Sequence, residues 1–347
     1  MTAPESMFAL TMTESGFGDP SQSVGPRLDS LEPYLKGEEI ATPQPGPGQA
    51  LVKLRLSAVN PSDIHFIKGE YGLPRVKGGV AGFEGCGDVV AVGAGAEGLM
   101  GKRCAVFVSP KGTGLWAEYV LADAASCVPL PDMVRDEDAA ALFVNPLTAI
   151  GMITLAAEAG AEAVLMTAGG SSLGKLMTAY AKDKGVKAVP VVRREAQAAQ
   201  LKDLGAAEVL VTTAGDYEAK LGAALSEMKP TVLLDAVVDQ TSTDLFFAMP
   251  PKTRWVIYGK LAPGAVTTDQ LATLVFTQKQ IEGFWLTAWL GRKSKEETMA
   301  LFGELFQRFG SGAWGTDVGE KIPLREAHAR LPALTSAPNA GKVFIAG

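Results

Sequence analysis

The chain has 347 residues, 47% of them hydrophobic, and a formal net charge of -6, which is enough for two domains of the usual roughly 100 to 200 residues. Acidic and basic residues are interspersed, so no basic stripe suits a nucleic-acid backbone and nucleic acid is excluded as a main partner. No apolar run reaches the roughly 18 residues of a membrane span, which argues against a membrane partner.

The first residues, MTAPESMFALTMTESGFG, lack a cationic segment followed by a long apolar core and a small-residue cleavage site, so no secretory signal is read there. The three cysteines, Cys86, Cys104 and Cys127, form neither an even disulfide set nor a C-x-x-C pair, as expected of a reducing compartment. A cytoplasmic protein is expected.

Short apolar runs separated by turn residues fill the first part: MFALTMT, ALVKLRLSAV, GCGDVVAVGAG, GKRCAVFVS and WAEYVLADAASCVPLP. This spacing predicts a β-rich domain. From about Glu137 the texture turns helical and alanine-rich in DEDAAALFVNPLTAIGMITLAAEAG, and a boundary is placed near Leu147.

The run Val164–Arg194, VLMTAGGSSLGKLMTAYAKDKGVKAVPVVRR, reads as apolar strand, glycine turn, helix, apolar strand and arginine pair. Gly169 and Gly170 are expected to take backbone angles that other residues avoid, and Gly174 to let helix and strand pack closely. The free N–H groups and positive end of the helix would receive a pyrophosphate. Ser171 stands where a dinucleotide fingerprint has its middle glycine and Ser172 follows, and either hydroxyl could bond phosphate. About 20 residues past the turn an NAD site places Asp or Glu, whereas this chain places Arg193 and Arg194, whose guanidinium groups suit the 2′-phosphate of NADP. Taken alone, the turn is equally an ordinary βα loop.

Beyond it the rhythm continues through helix EAQAAQLKDLGA, strand EVLVT, helix YEAKLGAALSEM, strand TVLLDAVV, helix TSTDLFFAM and strand TRWVIYGKL. Right-handed βαβ crossovers and a doubly wound parallel sheet are expected. QIEGFWLTAW reads as the last strand, before the charged helix KSKEETMALFGELFQRFG and a tail ending in GKVFIAG. Leu173, within the turn, and Tyr258, closing TRWVIYGKL, are counted with the cofactor-binding residues.

A β-rich first domain, a nucleotide-binding α/β domain and a returning tail resemble the medium-chain dehydrogenase/reductase superfamily. Within it, VNPSDIHFIKGEYG, GFEGCGDVVAVG, the VNPLTA segment, VVR and GFWLTAW are most similar to mitochondrial-type 2-enoyl thioester reductases. The resemblance implies an α/β fold, with a GroES-like catalytic domain at 1–147, a Rossmann NADP-binding domain at 148–285 and a return segment at 286–347. It implies NADPH as cofactor and a homodimer. Where the superfamily's zinc enzymes carry ligands, this chain has Asn60 and Phe83, and with only His65 and His328 available a tetrahedral zinc site is hard to assemble. His65 reads better as a hydrogen-bonding side chain than as a ligand.

Without a metal as Lewis acid, the expected electrophile is an activated C=C bond, which accepts hydride because charge spreads onto a conjugated carbonyl and which then needs one proton. Tyr71, in GEYG, matches the tyrosine that serves as proton donor in the resembled reductases; otherwise it is a tyrosine packed at a loop. Asn60 is placed as a donor to the substrate carbonyl or to the nicotinamide amide, and Asp63 as a turn-stabilising residue. Asn145 and Thr148 either line the nicotinamide end or, for Asn145, cap a helix. Phe284 and Trp285 either line the substrate pocket or support a subunit contact through an edge strand, and for Phe284 core packing is the plainest reading. Reduction of a 2-enoyl thioester leads, ahead of an NADPH:quinone oxidoreductase and of a non-catalytic NADPH-binding or structural protein.

Overall fold

In the computed structural model, which describes residues 3–19, 22–336 and 341–347, the chain divides into two units, Met1–Val144 with Phe302–Gly347, and Asn145–Leu301.

The first unit begins with β1 (Ser6–Met12) and β2 (Leu35–Ala41), paired antiparallel. Strand β3 (Gln49–Ala58) alternates: Lys53 and Arg55 point to solvent, while Val52, Leu54 and Leu56 point inward. Helix α1 (Pro61–Ile67) follows, then β4 (Glu84–Val92), β5 (Arg103–Phe107), β6 (Tyr119–Asp123), β7 (Cys127–Pro129) and the short α2 (Asp136–Ala140). All three cysteines are buried and free, serving as small core residues.

The second unit holds most of α3 (Val144–Glu158), then β8 (Ala163–Met166), α4 (Ser172–Asp183), β9 (Lys187–Val192), α5 (Ala198–Asp203), β10 (Leu210–Val211), α6 (Tyr217–Glu227), β11 (Val232–Asp235), α7 (Gln240–Ala248), β12 (Arg254–Ile257), α8 (Leu274–Thr277), β13 (Gln280–Gly283) and α9 (Leu286–Leu290). Its six strands are parallel, in the order β10-β9-β8-β11-β12-β13. This is the doubly wound arrangement, and it reverses direction between β8 and β11, where such sheets bind ligands beyond their carboxyl ends. Central strands β8 and β11 are buried along their whole length, as expected of strands covered on both faces. In α4 the buried residues Gly174, Met177, Thr178 and Ala181 recur at helical spacing, one stripe facing the sheet.

The chain then runs through α10 (Lys295–Gly310), β14 (Val318–Pro323), α11 (Ala327–Ser336) and β15 (Lys342–Ala346). In the first unit β15 pairs antiparallel with β3, giving a seven-stranded sheet, β14-β15-β3-β4-β5-β7, with β6 also on β3. Its core includes Leu10, Leu31, Ile64, Ile67, Trp116 and Ile345. The expected fold class, a β-rich GroES-like domain with a Rossmann sheet, is the one found.

Two local expectations need correction. QIEGFWLTAW is strand only over Gln280–Gly283, because its partner β12 ends at Ile257, whose carbonyl takes the last ladder bond from the Phe284 N–H. The next residues turn into α9. The alanine-rich helical run is likewise two helices, α2 and α3, broken at 141–143.

Candidate active site

In the second unit the glycine turn follows β8. Neither Gly169 nor Gly170 has a positive φ; the left-handed residue is Ala168, at φ 49°. The glycines are required by crowding instead. A Cβ on Gly169 would strike Pro190 of β9, and one on Gly174 would strike the carbonyl oxygens of Gly169 and Ala168. Ser171 is the N-cap of α4, its Oγ accepting the Gly174 N–H at 3.0 Å, which organises the helix entrance where Ser172 and Leu173 form the first turn. The side chain of Gln197 lies over Gly170, its amide pointing at the Gly170 carbonyl at 3.5 Å. Arg193 and Arg194 follow β9 on the surface, and the Arg193 carbonyl accepts the Thr213 hydroxyl at 3.0 Å.

Beside the turn, at the reversal point of the sheet, Asp235 ends β11 fully buried. Its Oδ1 accepts Thr167 Oγ1 at 2.5 Å, Val237 N at 2.9 Å, Val238 N at 3.2 Å and Ser242 Oγ at 3.0 Å, and its Oδ2 accepts Trp255 Nε1 at 2.9 Å. Five donors satisfy the buried charge and tie Thr167, the residue before the turn, to the ends of neighbouring strands. Tyr258 donates its backbone N–H to the Asp235 carbonyl. Its hydroxyl is buried with no hydrogen-bond partner among the described residues, and burial, with the Asp235 charge, raises its pKa. An orphan buried hydroxyl of this kind is a place for a ligand group or a water.

Asn145 and Thr148 lie in the first turns of α3, Thr148 buried; Asn145 is inside the helix rather than its cap. Phe284 and Trp289 pack against Gly151 of that helix, where a Cβ would meet the Phe284 ring at 2.7 Å. Trp285 is the N-cap of α9 and is 38% exposed.

In the first unit, Asn60 caps α1 with Pro61 in the first turn, a position where a missing N–H costs nothing. Asp63 accepts the Asn60 N–H on Oδ2 at 2.7 Å and the Phe83 N–H on Oδ1 at 2.9 Å. The Asn60 side chain, expected to face a substrate, is 1% exposed and bonded inward at both ends of its amide. Nδ2 donates to Glu84 Oε1 at 2.8 Å, and Oδ1 accepts from Lys342 Nζ. The other Glu84 oxygen accepts the N–H groups of Phe143 and Val144, at 2.9 and 3.0 Å. Burial pushes the Asp63 carboxyl up to about 7, with Glu84 adding to the rise against the N–H donor of Asn60. Burial also holds the Lys342 ammonium below its ordinary value.

Tyr71 packs beside this network. Its ring lies 5.2 Å from Phe83 and 6.3 Å, edge on, from Phe66. Asn60 and Phe83, singled out in the sequence, are joined here through Asp63, the expected turn residue, and Tyr71 lies against Phe83, whereas Glu84, Lys342 and Asp235 were not singled out. For Lys342 and Asp235 a signal was present, a charged residue at the end of an otherwise apolar strand; Glu84 opens a strand that also carries Asp88 and had no such mark.

A metal ion does not fit here. Asn60 and Phe83 offer an occupied amide and a ring, both carboxylates are already bonded to N–H donors, and an ammonium sits among them. Among the described residues no group of three or more His, Cys, Asp or Glu could hold one.

Comparison with known proteins places these two sites in a family. The alcohol dehydrogenase GroES-like domain matches residues 46–132, and the zinc-binding dehydrogenase domain matches residues 172–304. The chain is 30% identical over 326 residues to the mitochondrial enoyl-[acyl-carrier-protein] reductase of Rattus norvegicus, covering 91% of this chain and 83% of that one. It belongs to the medium-chain dehydrogenase/reductase superfamily. A solved structure from Mesorhizobium loti, whose name assigns it provisionally to the NADPH:quinone reductases, is 46% identical with a TM-score of 0.91 and covers both chains completely. A mycobacterial superfamily relative solved with NADPH is 26% identical, with a TM-score of 0.77 over 98% of this chain and all of that one. Among the described residues, no set of His, Cys, Asp or Glu matches the zinc in the second family's description.

Proposed function

We propose that this chain is an NADPH-dependent, zinc-independent oxidoreductase that reduces an activated C=C bond, with a 2-enoyl thioester as its substrate class. The observation that carries the reading is Tyr71, packed at a tilt against Phe83, itself at a position where the zinc enzymes of the superfamily carry a ligand, beside a network in which Asn60 is bonded to Glu84 and Lys342. The name of the rat relative supports the substrate class, and the NADPH-bound mycobacterial relative supports the cofactor.

In this reading the Gly169–Gly174 turn and the α4 entrance hold the pyrophosphate, and Arg193 and Arg194 hold the 2′-phosphate. Asn145, Thr148 and the unpartnered Tyr258 hydroxyl serve the nicotinamide end, and Phe284 and Trp285 serve the substrate. The cofactor supplies a hydride when bound. Tyr71, a phenol neutral at pH 7, hydrogen-bonds the enolate oxygen as charge develops and delivers the proton that completes the saturated thioester. Asn60 acts as a rigid support, since both ends of its amide are bonded to Glu84 and Lys342.

A second reading, an NADPH:quinone oxidoreductase, is favoured by the name of the Mesorhizobium loti structure. Purified protein with NADPH and crotonyl-CoA should bleach the reduced cofactor. No turnover, with rapid reduction of a quinone, selects the second reading; no turnover with either selects a non-catalytic NADPH-binding protein.

We further propose a homodimer formed through β13. This strand is one of the two edge strands of its sheet, and Val275, Phe276 and Ile281 beside or within it are 76%, 86% and 45% exposed, which leaves apolar surface along a sheet edge. Sedimentation should report twice the chain mass, and a Phe276→Glu variant should shift it toward the monomer.

A further inference from the structure

Glu70 precedes Tyr71, and its carboxylate is 8% exposed. Its Oε2 accepts the Ser23 hydroxyl at 2.8 Å and pairs with His65 Nδ1 at 2.9 Å. Its Oε1 pairs with Lys68 Nζ at 3.1 Å, and the same ammonium, 5% exposed, donates to the Gly25 carbonyl at 2.8 Å. The last turn of α1 is thereby joined, through one carboxylate, to a segment more than 40 residues earlier. Burial pushes the Glu70 carboxyl up, and the bonds from His65, Ser23 and Lys68 outweigh it, leaving it below its ordinary value.

The loop carrying Tyr71 is held on both sides of it, at Gly69 before and Arg75 after. Gly69 leaves the helix at φ 76°, and its carbonyl accepts the Gly18 N–H at 2.8 Å. The guanidinium of Arg75, also buried, donates to the carbonyls of Ile67 and Gly16, each at 3.2 Å. A buried charge cluster is a poor way to gain stability, because apolar side chains of similar volume do as well or better. Fixed geometry is what a set of directional bonds on one carboxylate adds.

We propose that Glu70 is a positioning residue for Tyr71: clamped by Ser23, His65 and Lys68, it fixes the backbone from which the phenol reaches the reacting carbon. The proposal rests on the reading of Tyr71 as proton donor. Glu70 touches neither substrate nor cofactor. It acts through its neighbour, whose ring is confined on the other side by Phe66 and Phe83, and misplacement by about 1 Å is enough to slow such a step roughly a hundredfold.

The test is Glu70→Gln in the full chain, which keeps shape and loses charge. With NADPH and crotonyl-CoA, kcat should fall roughly tenfold or more while KM and NADPH affinity stay within about twofold. 3-Fluorotyrosine placed at position 71 should give one narrow fluorine resonance in the unmodified protein and a broadened or split one in the variant. The double variant with Tyr71→Phe should be no slower than Tyr71→Phe alone. An unchanged fluorine spectrum, or losses that multiply in the double variant, would overturn the proposal. If Tyr71→Phe proves fully active, the proton-donor reading fails by itself, and the fluorine spectrum still decides whether Glu70 fixes the ring. Should Glu70→Gln fold poorly, Ser23→Ala, which removes one bond to the same carboxylate, should move the resonance in the same direction, and no movement would count against the proposal.

Discussion

The glycine turn of the second unit and the Tyr71 region of the first are built in opposite ways. The turn is made of backbone: Gly169 and Gly174 are small because strand, loop and helix carbonyls leave no space for a Cβ, and the groups it offers are N–H donors of a helix entrance. The Tyr71 region is made of side chains drawn from four separate stretches, with Asp63, Glu70, Glu84, Lys68 and Lys342 all buried or nearly so. A backbone cradle suits a ligand that many proteins share; a buried charge network suits one reaction, and in the proposed function it stands beside the phenol that supplies the proton.

The largest effect should fall on chemistry in the first unit. Tyr71→Phe is expected to lower kcat with an enoyl thioester by roughly a hundredfold or more and to leave NADPH affinity, measured by fluorescence titration, unchanged. Equal losses in both would erase the division of labour between the two regions. Next comes the second unit: Arg193→Ala should weaken NADPH binding by about 1.5 to 3 kcal/mol, the scale of a charge-assisted hydrogen bond, and barely change NADH binding. A variant that loses both cofactors equally would show that Arg193 supports the fold rather than reads the 2′-phosphate.

The smallest effect concerns pH. The Asp63 carboxyl titrates at about 7 in the folded protein because of burial, against an ordinary value of 3.8. A raised folded value means that the native state holds the proton more tightly, so this contribution is full below about pH 4 and is lost as pH rises through about 7. The thermal midpoint of Asp63→Asn should therefore depend less steeply on pH across that window than the midpoint of the unmodified protein. Parallel slopes would mean that Asp63 is ionised throughout, with Lys342 as its effective counter-charge.

The same contrast explains what could be read in advance. The βα alternation, the order of elements and the turn from Gly169 to Gly174 are local patterns, and local patterns survive in a linear string. Even so, the reason for the glycines differed: crowding by Pro190 and by the carbonyls of the turn, not backbone angle, demands them. The roles of Asn60, Glu84 and Lys342 depend on contacts across 24 and 282 residues, so no spacing rule exposes them. Asn60 looked like a substrate donor because its partners were out of view. QIEGFWLTAW looked like one strand because its apolar run continues past the point where β12 stops offering hydrogen bonds.

The most direct test of a metal-free reductase with a phenol as acid is product analysis after chelator treatment, with NADPH and crotonyl-CoA in deuterated water. Undiminished turnover to butyryl-CoA is expected, with the cofactor's hydrogen on the β-carbon and one solvent deuterium on the α-carbon. Activity abolished by the chelator and restored by zinc, or no butyryl-CoA while a quinone is rapidly reduced, would contradict it.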